Sequence, residues 1–210
     1  DPSDDNKHGT HTGCITGCVG DNLEGIPGVC FRCGIVPYKF LSGCGSGFSS
    51  NAAMAIDRAV EQGVKILSNS WGGSQPSETV RLAIERFCAS GGVFVVSAGN
   101  DPVNLDVTPH YPASYDLPCI LSVAASDNLD RLASFSSWSP TKQLVVGPGV
   151  NILSAFPFPY TCGGPTLGAY GNLSGTSMSC PFVAGAVGLV WSAFPSLTNM
   201  EVIALILSTT

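Results

Sequence analysis

The sequence is poor in charge. Only 11% of its 210 residues are Asp, Glu, Lys or Arg, against roughly 25% in an average soluble domain, and only nine of these are basic. A net charge of −6 leaves no basic surface to displace counterions from a phosphate backbone, so nucleic acid is excluded as an expected partner. With 44% apolar residues, the low charge also excludes a charge-extended disordered chain. Long hydrophobic runs are missing too. Apolar stretches such as residues 92–98 and 184–191 fall far short of the roughly 20 residues that span a bilayer, and no membrane segment is expected. Repeats, low-complexity tracts and Pro/Ser linkers are absent, which predicts one domain over residues 1–210, long enough to bury its own core.

What is abundant is glycine (25), proline (15) and cysteine (9). Nine cysteines are many for a reducing compartment, and an odd number leaves at least one without a partner in the chain. Their spacing does not fix the pairing. Short β-branched runs at 34–41, 64–70, 92–98, 119–124 and 144–146 have strand length. Between them, 48–62 and 77–90 repeat apolar residues at helical spacing and stop at Gly63 and Gly91, and two more helices are predicted near 176–193 and 199–207. Strands alternating with helices through short Gly-rich joints predict an α/β fold with a parallel sheet covered on both faces.

Two of the three histidines fall together in His8-Gly-Thr-His11, at the opening of a helical segment. Ser177 opens another helix through a Gly and a run of hydroxyls. At the carboxyl edge of an α/β sheet such helix starts can meet, and acyl transfer there also needs a donor aimed at the developing oxyanion. Asn100 ends a buried strand on that edge and fits the part. Taken singly, a Ser at a helix start is a cap, His-Gly-Thr-His a turn, Asn100 a strand-end hydrogen bonder and Trp71 core filling. The combination is what points to chemistry.

His8-Gly-Thr-His11, Asn69-Ser-Trp-Gly-Gly73, Ser97-Ala-Gly-Asn100 and Ser174-Gly-Thr-Ser-Met178 followed by Pro181-Phe-Val-Ala-Gly185 together resemble the ordered motifs of the subtilases, the subtilisin-like serine peptidases. The resemblance implies a three-layer α/β/α sandwich around a mostly parallel sheet. It implies an endopeptidase of polypeptides with His8 as general base, Ser177 as nucleophile, and Asn100 as oxyanion donor beside the Ser177 N–H. By resemblance, Gly45 and Gly47 and then Ser70, Trp71, Gly72, Ala98 and Gly99 bind the substrate, with room for a large apolar group before the scissile bond. No cofactor is implied for the chemistry, while a structural Ca²⁺ is expected near Asp21 and Asn22. Tyr111–Pro112 is expected to be cis. A propeptide-bearing precursor, a monomeric state and a secreted or vesicular location are further implications of the family.

The same comparison exposes gaps. The family's catalytic Asp lies at the end of an early strand, and only seven residues precede His8 here. The expectation is a partial domain lacking that first strand and the C-terminal end, feeble or inactive alone, with Asp1, Asp4 and Asp5 left unassigned. Cys14, Cys180 and Phe182 also depart from the family pattern. Two other functions compete: a peptide-binding pseudoprotease, and a structural zinc site built from His8, His11, Cys14, Cys18, Cys30 and Cys33, whose spacings suit that metal.

Overall fold

A computed structural model describes residues 2–157 and 169–209. The elements run α1 (His8–Gly17), α2 (Ser49–Glu61), β1 (Ile66–Asn69), α3 (Glu78–Ala89), β2 (Val93–Ser97), β3 (Ile120–Ser126), β4 (Leu144–Pro148), β5 (Ile152–Ala155), β6 (Tyr170–Leu173), α4 (Thr176–Ala193) and α5 (Asn199–Ser208). Strands β1 to β4 form one parallel sheet in sequence order, in register from Ile66 opposite Val93 to Ser126 opposite Pro148.

Period-two alternation in β2 divides the interior. Phe94 and Val96 face α2 and α3, packing with Ile56, Ile84 and Phe87, whereas Val93 and Val95 face α4 and α5 with Leu121, Val187 and Ile203. The sheet is thus buried on both faces, which is why β2 and β3 read as unbroken apolar runs. This is the three-layer α/β/α arrangement that the sequence predicts. Helix ends follow local chemistry: the Ser77 hydroxyl accepts the Val80 N–H at the start of α3, and Thr198 with Glu201 forms a capping box on α5. Gly63 and Gly91, after α2 and α3, adopt positive φ that residues with a Cβ rarely reach. Helix α4, long and apolar enough to cross a membrane by length and composition, packs here as the central core helix against the sheet.

Three features differ from expectation or add to it. Residues 34–41 form no strand; they run irregularly and largely exposed beside the outer edge of β1, and both flank a groove of about 1570 Å³. A strand needs a hydrogen-bonding neighbour, and residues 34–41 pair with none of the described strands; Pro37 also lacks the N–H that a ladder uses. The antiparallel β5–β6 pair, Ile152 opposite Leu173, carries no clear sequence signal. Tyr111–Pro112 is cis, as the family resemblance implies.

Candidate active site

His8 is the first residue of α1, and the chain before it is tied to that helix. Asp4 accepts the Thr10 N–H and hydroxyl, each at 2.7 Å, through Oδ2, and the Asn6 N–H at 3.0 Å through Oδ1. A carboxylate on the first turn also complements the helix dipole. Asn6 Oδ1 then receives the His8 N–H at 3.1 Å. One turn later the fully buried His11 ring sets Nε2 3.1 Å from the carbonyl oxygens of both Ile152 and Gly171, pinning α1 to the β5–β6 pair. Burial holds the His8 imidazole below its ordinary value, repulsion from His11 acts the same way, and Asp4 opposes both. At neutral pH His8 therefore carries a lone pair free to accept a proton.

The entry to α4 is organised by a residue that sequence reasoning passed over. Thr176 is buried, and Asn100 Oδ1 accepts both its N–H (2.8 Å) and its hydroxyl (3.0 Å). The same hydroxyl accepts the Gly99 N–H at 3.2 Å. With the Asn100 oxygen engaged, its NH₂ is the group left to donate. A Cβ built on Gly175 would lie 3.4 Å from Asn100 Nδ2 and 3.7 Å from Ser177 N, so both nitrogens border the same small space. The Ser70 hydroxyl donates to the Ser177 carbonyl at 2.8 Å, joining the end of β1 to the first turn of α4. His8, Asn100 and Ser177 line one cleft of about 260 Å³ with Asn6, Lys7 and Met178. The only hint of Thr176 in the sequence was the hydroxyl run after Gly175.

Gly45, Gly47, Ser70, Trp71 and Gly72 border the larger groove, which also reaches His8. The Asn6 side-chain amide donates to the Gly43 carbonyl at 2.6 Å, which fastens the 42–47 loop beside α1. Gly47 has no alternative, because a Cβ there would come within 2.6 Å of the Phe40 carbonyl oxygen. Ala98 and Gly99 sit apart from that lining. Ala98 is fully buried in the α2/α3-side core, and Gly99 is buried with its N–H committed to Thr176.

The sequence model of the Subtilase family matches residues 1–210. The chain belongs to the subtilase family. It is 34% identical over 201 residues to Subtilisin DY of Bacillus licheniformis, covering 95% of this chain and 69% of that protein. Against Thermitase of Thermoactinomyces vulgaris it is 34% identical over 200 residues, 95% of this chain and 66% of the relative. Among solved structures, a cold-adapted subtilisin-like serine proteinase superposes with a TM-score of 0.81 at 31% identity, over 98% of this chain and 68% of that one. Sphericase gives 0.83 at 28% identity, with 98% and 70% covered.

The cysteines of this subtilase overturn the zinc reading. Cys14 is bonded to Cys18 and Cys30 to Cys33, which removes the four thiolates that a zinc site would need. Cys88 is bonded to Cys119, Cys44 is also in a disulfide, and Cys162 lies outside the described residues. Among the described residues Cys180 is the free thiol, buried in the core with its pKa pushed up to about 11 by that burial. Near the expected calcium loop, Asn22 Oδ1 accepts the Glu24 N–H and Asp21 lies 4.0 Å from the Arg32 guanidinium. Among the described residues no group of three or more His, Cys, Asp or Glu gathers around a common point.

Proposed function

We propose that this chain is the greater part of the catalytic domain of a secreted or vesicular serine endopeptidase, made as a larger precursor. The observation that carries the reading is the shared cleft of His8, Asn100 and Ser177, with Thr176 turning the Asn100 NH₂ outward. The neutral imidazole of His8 takes the Ser177 hydroxyl proton as that oxygen attacks the peptide carbonyl. Charge developing on the carbonyl oxygen is met by Asn100 Nδ2–H and the Ser177 N–H. His8 then protonates the leaving amine, and water repeats the cycle on the acyl-enzyme. The 42–47 and 70–73 segments offer backbone groups along the groove to an extended polypeptide. Four cysteines in the described disulfides at the N-terminal end, and two more linking α3 to the turn before β3, support folding in an oxidising compartment.

The imidazole still needs an orienting carboxylate. Asp4 does not serve, since its carboxylate is turned to Thr10 and Asn6 and makes no hydrogen bond to the His8 ring. That carboxylate is assigned to polypeptide outside residues 1–210, and the isolated 210-residue stretch is expected to turn over slowly. Loss of the Asp alone costs about 3 × 10⁴ in turnover, a figure established on subtilisin itself and not obtained from this structure. The test is to treat the full-length protein with a fluorophosphonate and locate the adduct. Labelling at Ser177 that disappears in His8→Ala is expected. Labelling elsewhere, or peptide binding with no labelling, would replace the peptidase reading with the pseudoprotease one.

A further inference from the structure

The pocket for the side chain before the scissile bond is expected between the 70–72 and 98–99 segments, and glycines in both are backed by one imidazole. A Cβ on Gly72 would lie 2.4 Å from His110 Nε2, and one on Gly99 would lie 3.3 Å from the His110 ring carbons. His110 therefore stands between the two walls, in space that their glycines leave open. Its backbone is fixed on both sides. The His110 N–H donates to Ser114 Oγ at 3.0 Å, its carbonyl accepts the Ser114 N–H at 2.8 Å, and the next residue, Tyr111, exchanges two 2.8 Å hydrogen bonds with Gly73.

Other polar groups around this space are already engaged. The Ser70 hydroxyl donates to the Ser177 carbonyl, the Gly99 N–H to Thr176, and the Ser137 hydroxyl to the Asp101 carbonyl. The His110 ring is half-buried, and among the described residues neither of its nitrogens has a hydrogen-bond partner. We propose that His110 forms the base of this pocket and selects substrates with an acidic side chain, Glu or Asp, before the scissile bond. This rests on the peptidase reading above and replaces the large apolar group that the sequence alone favours. An imidazole at the floor shortens the pocket for Phe or Leu, while its N–H donates to a carboxylate and does so more strongly when protonated.

The preference carries a pH signature. Burial lowers the His110 pKa, and Asp101, the charged residue acting on it, opposes that shift. The facing segments 70–73, 97–100 and 136–138 contain no ionisable side chain; its own turn carries Tyr111 and Tyr115, the latter with its phenol pKa raised by burial. Selectivity for Glu over Gln is therefore greatest below the ordinary imidazole value of 6.5 and declines as pH rises.

The test uses the full-length protein and matched peptides that differ only in Glu, Gln or Phe before the scissile bond, with kcat/KM followed between about pH 5 and about pH 8. Glu is expected to exceed Phe, with a Glu-to-Gln ratio of about tenfold at the acid end that fades on neutralisation. His110→Gly should reverse the order in favour of Phe, and His110→Gln should keep the fold while removing the pH dependence. A wild-type preference for Phe, or a Glu preference untouched by both variants, overturns the proposal while leaving the peptidase intact. Calorimetry on Ser177→Ala with product peptides ending in Glu or Phe reads the same preference without turnover. If fluorophosphonate labelling fails, tighter binding of the Glu-ending peptide still supports the pocket, and tighter binding of the Phe-ending one rejects it.

Discussion

A carboxamide stabilises an oxyanion only if its NH₂ faces the reacting carbonyl, and Thr176 imposes that orientation by engaging the Asn100 oxygen twice. Asn100→Ala should lower kcat of the full-length enzyme by about 10²–10³ with KM little changed, a range established on subtilisin itself and not obtained from this structure. Thr176→Val keeps the shape but leaves the buried Gly99 N–H without its acceptor, and should lower stability by about 1–3 kcal/mol in urea titration. Its kcat should fall as well; a kcat loss for Asn100→Ala with none for Thr176→Val would contradict the orienting role. The histidines set the acid limit. Burial is the first cause of a lowered pKa at His8, His11 and His110 alike. A folded value below the unfolded 6.5 means that the stability contribution is complete above pH 6.5 and is lost as pH falls through the lowered values, because the unfolded chain binds protons that the folded chain resists. The thermal midpoint should be level above pH 6.5 and decline below it, less steeply in His11→Gln; a midpoint that rises on acidification would refute this.

At the scale of elements, the proposed catalytic geometry depends on how closely α1 approaches α4, since one carries His8 and the other Ser177. Small residues permit that approach. A Cβ on Gly185 would meet Val29 Cβ at 2.6 Å and the Thr16 carbonyl oxygen at 3.2 Å, and Thr16 is itself hydrogen-bonded to the Pro181 carbonyl. Gly185→Ala should therefore destabilise the fold by about 1–3 kcal/mol through overpacking and lower kcat more than it raises KM. Calorimetric melting with parallel kinetics checks both, and an unchanged melting temperature would show that α1 has slack. The helices and strands themselves were largely legible. Apolar spacing in 48–62 and 77–90 and unbroken runs in β2 and β3 read directly onto α2, α3 and the buried sheet. Residues 34–41 misled because strand-like composition says nothing about whether a ladder partner is at hand.

Across the whole molecule, the disulfides divide by the length of chain they close. Cys88–Cys119 closes a separation of 31 residues, while Cys14–Cys18 and Cys30–Cys33 close 4 and 3. On the chain-entropy account, Cys88→Ser with Cys119→Ser should lower unfolding free energy by about 2–4 kcal/mol, and the Cys30/Cys33 double variant by distinctly less. Cys180 should stay inert to a thiol reagent until the protein unfolds, given its burial and a pKa near 11. Rapid labelling in native buffer would mean that the α4 core opens readily.

The sequence by itself determined the fold class, the family motifs and the residues with chemistry to offer, because periodicity and short motifs are local and survive in one dimension. Only the tertiary structure decided that Thr176 turns the Asn100 amide, that the cysteines at the N-terminal end pair with each other, that Ala98 faces the core, and that His110 stands between Gly72 and Gly99. Each of those depends on contacts between segments distant in the chain or on the direction of one side chain, and no local pattern encodes either.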